Sequence, residues 1–340
     1  MSKANRETRA ARKPGMMSLL GPYRIWIVAL IALTIFANSL NLFIPKLIAA
    51  AIDAATAGNF ELATTVLEFA AIAVGIFLLT YLQAIVQTVT SERVARDLRT
   101  RLIDKISQQD YAYVEEIGSS SLLTNLTSDV DSIKNFVSQA IASIISSVFL
   151  IIGASILMLL IDWQLAAAVL VVVPLIAFTF SFVLKRVRVL FRRSQETIDW
   201  LNKVINESIS GSSLIRLLNS QIFEYQKFLA ANTQARDIGL RIIGMFALMI
   251  PAIGFFISLA ILVILSFGGH LVISGELSLG NFSAFLNYLT ILVFPIIIIG
   301  FMSNIIAQAS ASFGRISKVL LADEPAPTGS LDVELQGNLE

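Results

Sequence analysis

The sequence predicts an all-α membrane protein with six long transmembrane helices that extend into the cytoplasm. Three observations carry that prediction. The first is composition: 56% of residues are hydrophobic, 14% are charged, and the mean hydropathy is +0.78. A soluble domain carries about 25% charged residues, so a chain this poor in charge could not cover its surface in water. The second is patterning. Six windows hold no charged residue: 25–45, 69–91, 135–161, 163–184, 242–275 and 277–314. Each meets the roughly 20 residues that a helix needs to cross about 30 Å of hydrocarbon. The third is the placement of the 25 Lys and Arg residues. All but Lys46 fall in segments 1–24, 92–134, 185–241 and 315–340, which the positive-inside rule assigns to the cytoplasm together with both termini.

Composition also excludes chemistry. With no cysteine there is no disulfide, thiolate nucleophile or Cys-ligated metal, and a single histidine, His270, excludes a three-His zinc site. No metal site and no nucleic-acid partner are expected.

Taken in order, segment 1–24 is a basic cytoplasmic flank whose MMSLLGPYR end is expected to lie along the membrane interface before Pro22 starts span one. Between spans two and three runs the first long excursion, 92–134. Its segment SERVARDLRTRLIDKI keeps Val94, Leu98, Leu102 and Ile106 at i, i+4 spacing, so span two should continue as a helix beyond the membrane. Gly118 and the three serines after it should then break the helix. Asp162 marks a hairpin between spans three and four, with Trp163 placed as an interfacial aromatic. The second excursion, 185–241, has no proline, and it too should be helical. The Gly-containing turn ISGELSLG separates spans five and six, and 321–340 turns acidic and Pro/Gly-rich, a linker composition.

The most unusual stretch is LLTNLTSDVDSIKNF (122–136), a polar interruption at the tip of the first excursion. Leu122, Leu123 and Leu126 give a short amphipathic turn. Ser128 with Asp131 three residues later has the spacing of a capping box that would start the next long helix. Such a turn could present apolar residues to a partner, or could be an ordinary solvated hairpin.

Polar residues within the spans are candidates for function, because hydrocarbon penalises unsatisfied groups. Span one offers Asn38 and Asn41; span two offers Thr80, Gln83 and Gln87. Span six offers Asn287, Tyr288, Asn304 and Gln308, interleaved with Phe285, Phe294 and Phe301. Interhelical hydrogen bonding is one reading of them, and the lining of a shared cavity is the other. No charge sits centrally in any span, so a cavity of amides, hydroxyls and Phe rings suits amphipathic or lipophilic cargo.

Four segments together resemble the transmembrane domain of an ABC exporter. LLTNLTSDVDSI (122–133) is similar to that family's LxSRLTxDVDxI, and ESISGSSLIRLL (207–218) to its ExLxGIxxIKxF. GELSLGNFSAFLNYLTILVFPI in span six is close to GxLSxGxLxAFxxYxxxLxxPI, and RISKVLLADEP to RIxxLLDxxP. Asn125, Ser121 and Leu218 depart from the usual Arg, acid and aromatic. No GxxxxGK[ST] loop occurs, and LSFGGH lies in the outer half of span five, so the chain itself should bind no nucleotide.

The resemblance implies a six-helix transmembrane domain over 25–320 and an ATP-binding domain beyond the linker or on a separate chain, where ATP and Mg would bind. It implies a second transmembrane half, as homodimer or heterodimer, and a bacterial inner-membrane location. It also implies two coupling segments that dock the nucleotide domain. The first would use Leu122, Leu123, Asn125, Leu126, Asp129 and Asp131; the second, Glu207, Gly211, Ile215 and Arg216. A non-transporting sensor or scaffold with the same stalks is the alternative.

Overall fold

The computed structural model describes residues 21–322, all in helices and short connections among the described residues. The expectations for the first twenty residues and for the linker after Ala322 lie outside the described residues. In chain order the helices are α1 (Gly21–Thr56), α2 (Leu62–Ser107), the short α3 (Tyr111–Ile117), α4 (Ser119–Ile161), α5 (Trp163–Ser210), the short α6 (Ser212–Leu217), α7 (Gln221–Ile273) and α8 (Leu279–Leu320). The six long ones are each apolar and long enough to cross a membrane.

The chain divides into two compact units. Among the described residues, unit 1 comprises 21–37, 75–146 and 301–322. Its core is the predicted stripe of α2, Val94, Leu98 and Leu102, packed with Leu122, Val130, Ile133 and Val137 of α4 and Ile316 and Val319 of α8. Around that core the charges are paired. The Tyr23 hydroxyl donates to Asp97, Arg93 lies 4.7 Å over the Trp26 ring, and Lys134 meets Glu92 at 2.5 Å.

The predicted capping box does not form. α4 starts at Ser119 and runs without a break through Ser128 and Asp131, with π-helical turns at Asn125–Asp129 and Phe136–Ala140. Nothing in 122–134 is Pro or Gly, so no residue there interrupts the backbone. Buried Leu122, Val130 and Ile133 hold the helix against the core. Ser128 serves as an acceptor through its carbonyl, bonded by the Ser132 hydroxyl at 2.9 Å, and Asp131 pairs with Arg99 at 2.7 Å. The break lies ten residues before Ser128, at Gly118 as expected, where a φ of +83° is open to glycine at little cost.

Unit 2 comprises 38–74 and 147–300. Its core joins Leu42 and Ala49 of α1, Ala154 and Met158 of α4, and Ile176, Phe180 and Val183 of α5 to Met249 and Ile253 of α7 and Phe285, Tyr288 and Leu292 of α8. Asp162 accepts from the Leu165 N–H at 2.7 Å and so caps α5 across a one-residue hairpin. Two glycines of α8 allow close helix contact. A Cβ at Gly280 would stand 2.1 Å from the Ala49 carbonyl, and one at Gly300 would strike the Phe180 ring. The start of α8 is capped from far away in sequence: Asp53 accepts from Ser278 Oγ at 2.7 Å and from the Gly280 N–H at 2.8 Å. α5 continues 26 residues past its charge-free window, about 39 Å at 1.5 Å per residue. It packs there against α7 through Val187, Thr197, Val204 and Ala231.

Candidate functional site

Two short helices lie between the long ones in sequence, and each has clear local causes. In unit 1, α3 is seven residues long. Asp110 caps its start, accepting from the Tyr113 N–H at 2.9 Å, and Gly118 ends it with an N–H donated to the Val114 carbonyl. Tyr111 is 79% exposed, and Glu115 and Glu116 are also exposed. In unit 2, α6 follows Gly211, whose N–H donates to the Glu207 carbonyl at 2.8 Å. It ends at Asn219, the one non-glycine residue with positive φ (51°) among the described residues. Leu214 and Leu217 on α6 and Leu218, Ile222 and Phe223 just after it are all exposed. Beside α6 is an apolar cleft of about 600 Å³ lined by Ile205, Ile209, Ile215, Tyr225 and Phe228.

The first predicted coupling segment therefore maps onto the opening turns of α4 rather than onto a separate short helix. Leu122 and Asn125 are buried, Leu126 is half-buried and Leu123 is 61% exposed. Asp129 is enclosed, accepting from Ser312 Oγ and Arg315 Nε at 2.9 Å each and from Arg315 Nη2. Asp129 and Arg315 lie outside the charge-free windows, and Ser312 lies at the end of the last one. Hydrogen bonding from the Arg315 guanidinium holds the Asp129 carboxyl below its ordinary value against the opposing effect of burial. Asp131 faces outward and is held by Arg99, whose Nε also reaches the Leu126 carbonyl at 3.3 Å.

The second segment is split between roles. Glu207 closes α5 and pairs with Lys227 of α7 at 2.7 Å; Gly211 is the break; Ile215 lines the apolar cleft; Arg216 is exposed. Sequence reasoning missed α3. The signal available for it was the Asp110–Gly118 bracket, an N-cap acid and a terminating glycine around seven residues.

The intramembrane candidates sort by unit. In unit 2, Asn38 is buried and Asn41 half-buried on α1. On α8 of the same unit, Phe285 and Tyr288 are buried, the Tyr288 hydroxyl donating to the Leu42 carbonyl at 3.2 Å. Asn287 donates to Ser283 in its own helix at 2.9 Å, and Phe294 is exposed. Tyr288 is thus brought to the α1 turn that carries Asn41. In unit 1, Gln87 donates to the Ser138 carbonyl, Gln83 is half-buried and Thr80 is exposed. Phe301, Asn304 and Gln308 are all exposed, at the i, i+3, i+7 spacing of one helix face. Two exposed amides on an otherwise apolar span suit a wet or partnered surface and not lipid tails.

Among the described residues no cluster of His, Cys, Asp or Glu could hold a metal ion.

The family model for the ABC transporter transmembrane region matches residues 26–296. An ATP-dependent lipid A-core flippase of Syntrophus aciditrophicus is 29% identical over 71% of this chain and 40% of its own length. YfiB of Bacillus subtilis, an uncharacterised ABC transporter ATP-binding protein, is 26% identical over 95% of this chain and 57% of its own length. A multidrug resistance ABC transporter ATP-binding and permease protein of Lactococcus lactis is 24% identical over 75% and 43%. The chain spans about half the length of the curated relatives it matches.

Proposed function

The chain belongs to the ABC transporter transmembrane region family, and from that premise we propose that it is the membrane half of an ATP-driven exporter of amphipathic or lipophilic molecules. It is an integral membrane protein. On this reading both termini and the helical stalks are cytoplasmic, a topology that the distribution of Lys and Arg supports. A nucleotide-binding domain, carrying ATP and Mg, docks on α3 and α6, and a second copy or a related chain supplies the other half.

The observation that carries the cargo class is the exposed face of α8 with Phe301, Asn304 and Gln308, which offers ring and amide groups but no charge. The names of two relatives, a lipid A-core flippase and a multidrug resistance protein, support a lipophilic cargo. ATP binding on the docked domains would bias a two-state membrane element, alternately opening the cargo path to either side. Specificity for one lipid or drug is a finer matter than the α8 face decides.

The experiment is ATP-dependent accumulation of a lipophilic dye in inverted vesicles containing the complete reading frame from the source, with an Asn304→Ala/Gln308→Ala variant beside it. Support is dye accumulation that needs ATP, with the variant shifting the half-saturating dye concentration severalfold. Dye accumulation equal to that of empty vesicles, in a preparation that hydrolyses ATP, would reject lipophilic export. No ATP hydrolysis, with or without a co-purified partner, would favour the scaffold reading.

A further inference from the structure

The basic residues of the two units are treated very differently. In unit 1 several of those flanking the spans are neutralised by an acid: Arg99 by Asp131, Lys134 by Glu92 and Arg315 by Asp129. In unit 2, α5 leaves its charge-free window at Leu184 and at once carries Lys185, Arg186, Arg188, Arg192 and Arg193 with no acid among them. Arg186 lies 4.3 Å over the Phe182 ring. The other four make no ion pair or hydrogen bond with the described residues, and neither does Arg241, the residue of α7 that precedes its own charge-free window.

Position along the helix limits what could neutralise these cations. From Lys185 to Arg193 is about 12 Å of helix, after which the sign reverses at Glu196 and Asp199. A cation belt confined to the first turns beyond the hydrocarbon spans the headgroup layer and roughly one Debye length of solution. Position around the helix is equally informative. Phe178, Phe182, Lys185, Val189 and Arg192 recur at i, i+4, i+7, i+11 and i+14, and all are exposed. The opposite face, with Ile176, Phe180, Val183 and Val187, is buried in the unit core. The cations therefore continue the same face that presents the exposed, stacked rings of Phe178 and Phe182 within the span. Next to this face, Arg193 and Arg241 line an open cleft of about 870 Å³ between α5 and α7, shared with Glu196 and with Asp237, which pairs with Arg236.

We propose that this face of α5, with Arg193 and Arg241 at its edge, is a binding surface for anionic phospholipid headgroups. The acyl chains lie along Phe178 and Phe182, and the phosphates meet Lys185, Arg188 and Arg192. The inference rests on the topology adopted above, in which the stalk end of α5 emerges at a charged leaflet, but it does not require transport or ATP. An acidic peptide from a second copy would also answer the charge. It would not account for the aromatic stripe or for the sharp limit of the basic run.

The test is native mass spectrometry of the full chain in detergent, titrated with phosphatidylglycerol and phosphatidylcholine of identical acyl chains. The parent should carry the anionic lipid in preference. In Lys185→Gln/Arg188→Gln/Arg192→Gln that preference should fall at least about tenfold, given roughly fivefold per basic residue at a charged surface. Arg101→Gln/Lys203→Gln/Lys318→Gln, with the same change in net charge elsewhere, should retain it. Equal loss in both variants, or a parent that takes the two lipids alike, overturns the proposal. Because the measurement uses no nucleotide, its failure would leave the exporter reading intact, and absent ATP hydrolysis would leave this one intact.

Discussion

The Asp129–Arg315 pair should be asymmetric in a way that follows from exposure alone. The Asp129 side chain is 1% exposed and the Arg315 side chain 52%. Arg315→Ala leaves a buried carboxylate with Ser312 as its one remaining side-chain partner among the described residues. Stranding a buried charge typically costs about 3–5 kcal/mol. Asp129→Ala leaves a guanidinium that already reaches water, so the loss is nearer the roughly 1.5–3 kcal/mol of hydrogen bonds to a charged group. The double variant should cost less than the sum of the two, because it strands nothing.

The assay is thermal unfolding in detergent followed by size-exclusion fluorescence, read as a ranking of midpoints: parent, then Asp129→Ala, then Arg315→Ala. Asp129→Ala as the more damaging change, or strict additivity in the double variant, would refute the burial argument. A pH series adds a signed check. The carboxyl is held below its ordinary 3.8, so its contribution is present above that pH and is lost as pH falls through the lower folded value. The gap between parent and Asp129→Asn should narrow only under strongly acidic conditions.

Neighbouring leucines give the next test. Leu122→Asp, at a position 5% exposed in the unit 1 core, should prevent folding, whereas Leu123→Asp, at 61% exposure, should leave the thermal midpoint nearly unchanged. Equal damage in both would contradict the assigned register of α4. Gly280→Ala should lower the midpoint measurably, since its Cβ would fall 2.1 Å from the Ala49 carbonyl and disturb the Asp53 cap. An unchanged midpoint would show that α1 and α8 can part there freely. Leu217→Asp, at the fully exposed tip of α6, should leave folding intact and reduce ATP hydrolysis in the complete transporter at least severalfold. Undiminished turnover would remove α6 from the docking surface.

Much of the fold was legible because its signals are additive over long windows. Twenty charge-free residues or a run of arginines survive any local misjudgement, and the i, i+4 stripe Val94, Leu98, Leu102 became core as its spacing required. The boundaries of the short helices were less legible. Ser128 and Asp131 have the spacing of a cap, but a cap is chosen by what the helix before it does, and Leu122 and Val130 were already committed to packing. Gly118, one residue with a permissive backbone, outweighed the whole polar stretch that follows it.

The candidate site shows the same limit in side chains of identical type. Asn125 and Asp129 are polar residues on a helix that enters the membrane, and they are buried, the aspartate matched to Ser312 and Arg315, 183 and 186 residues away. Asn304 and Gln308 are amides on an apolar, charge-free stretch of α8, and they are exposed. Residue type and spacing cannot separate these cases, because what differs is whether an opposing helix covers the side chain. An enclosed and satisfied polar group fixes how helices meet. A polar group left open on an apolar helix remains available to water, cargo or a second subunit, so the Phe301–Asn304–Gln308 face of α8, rather than the buried Phe285 and Tyr288, is the part of that helix to test for transport.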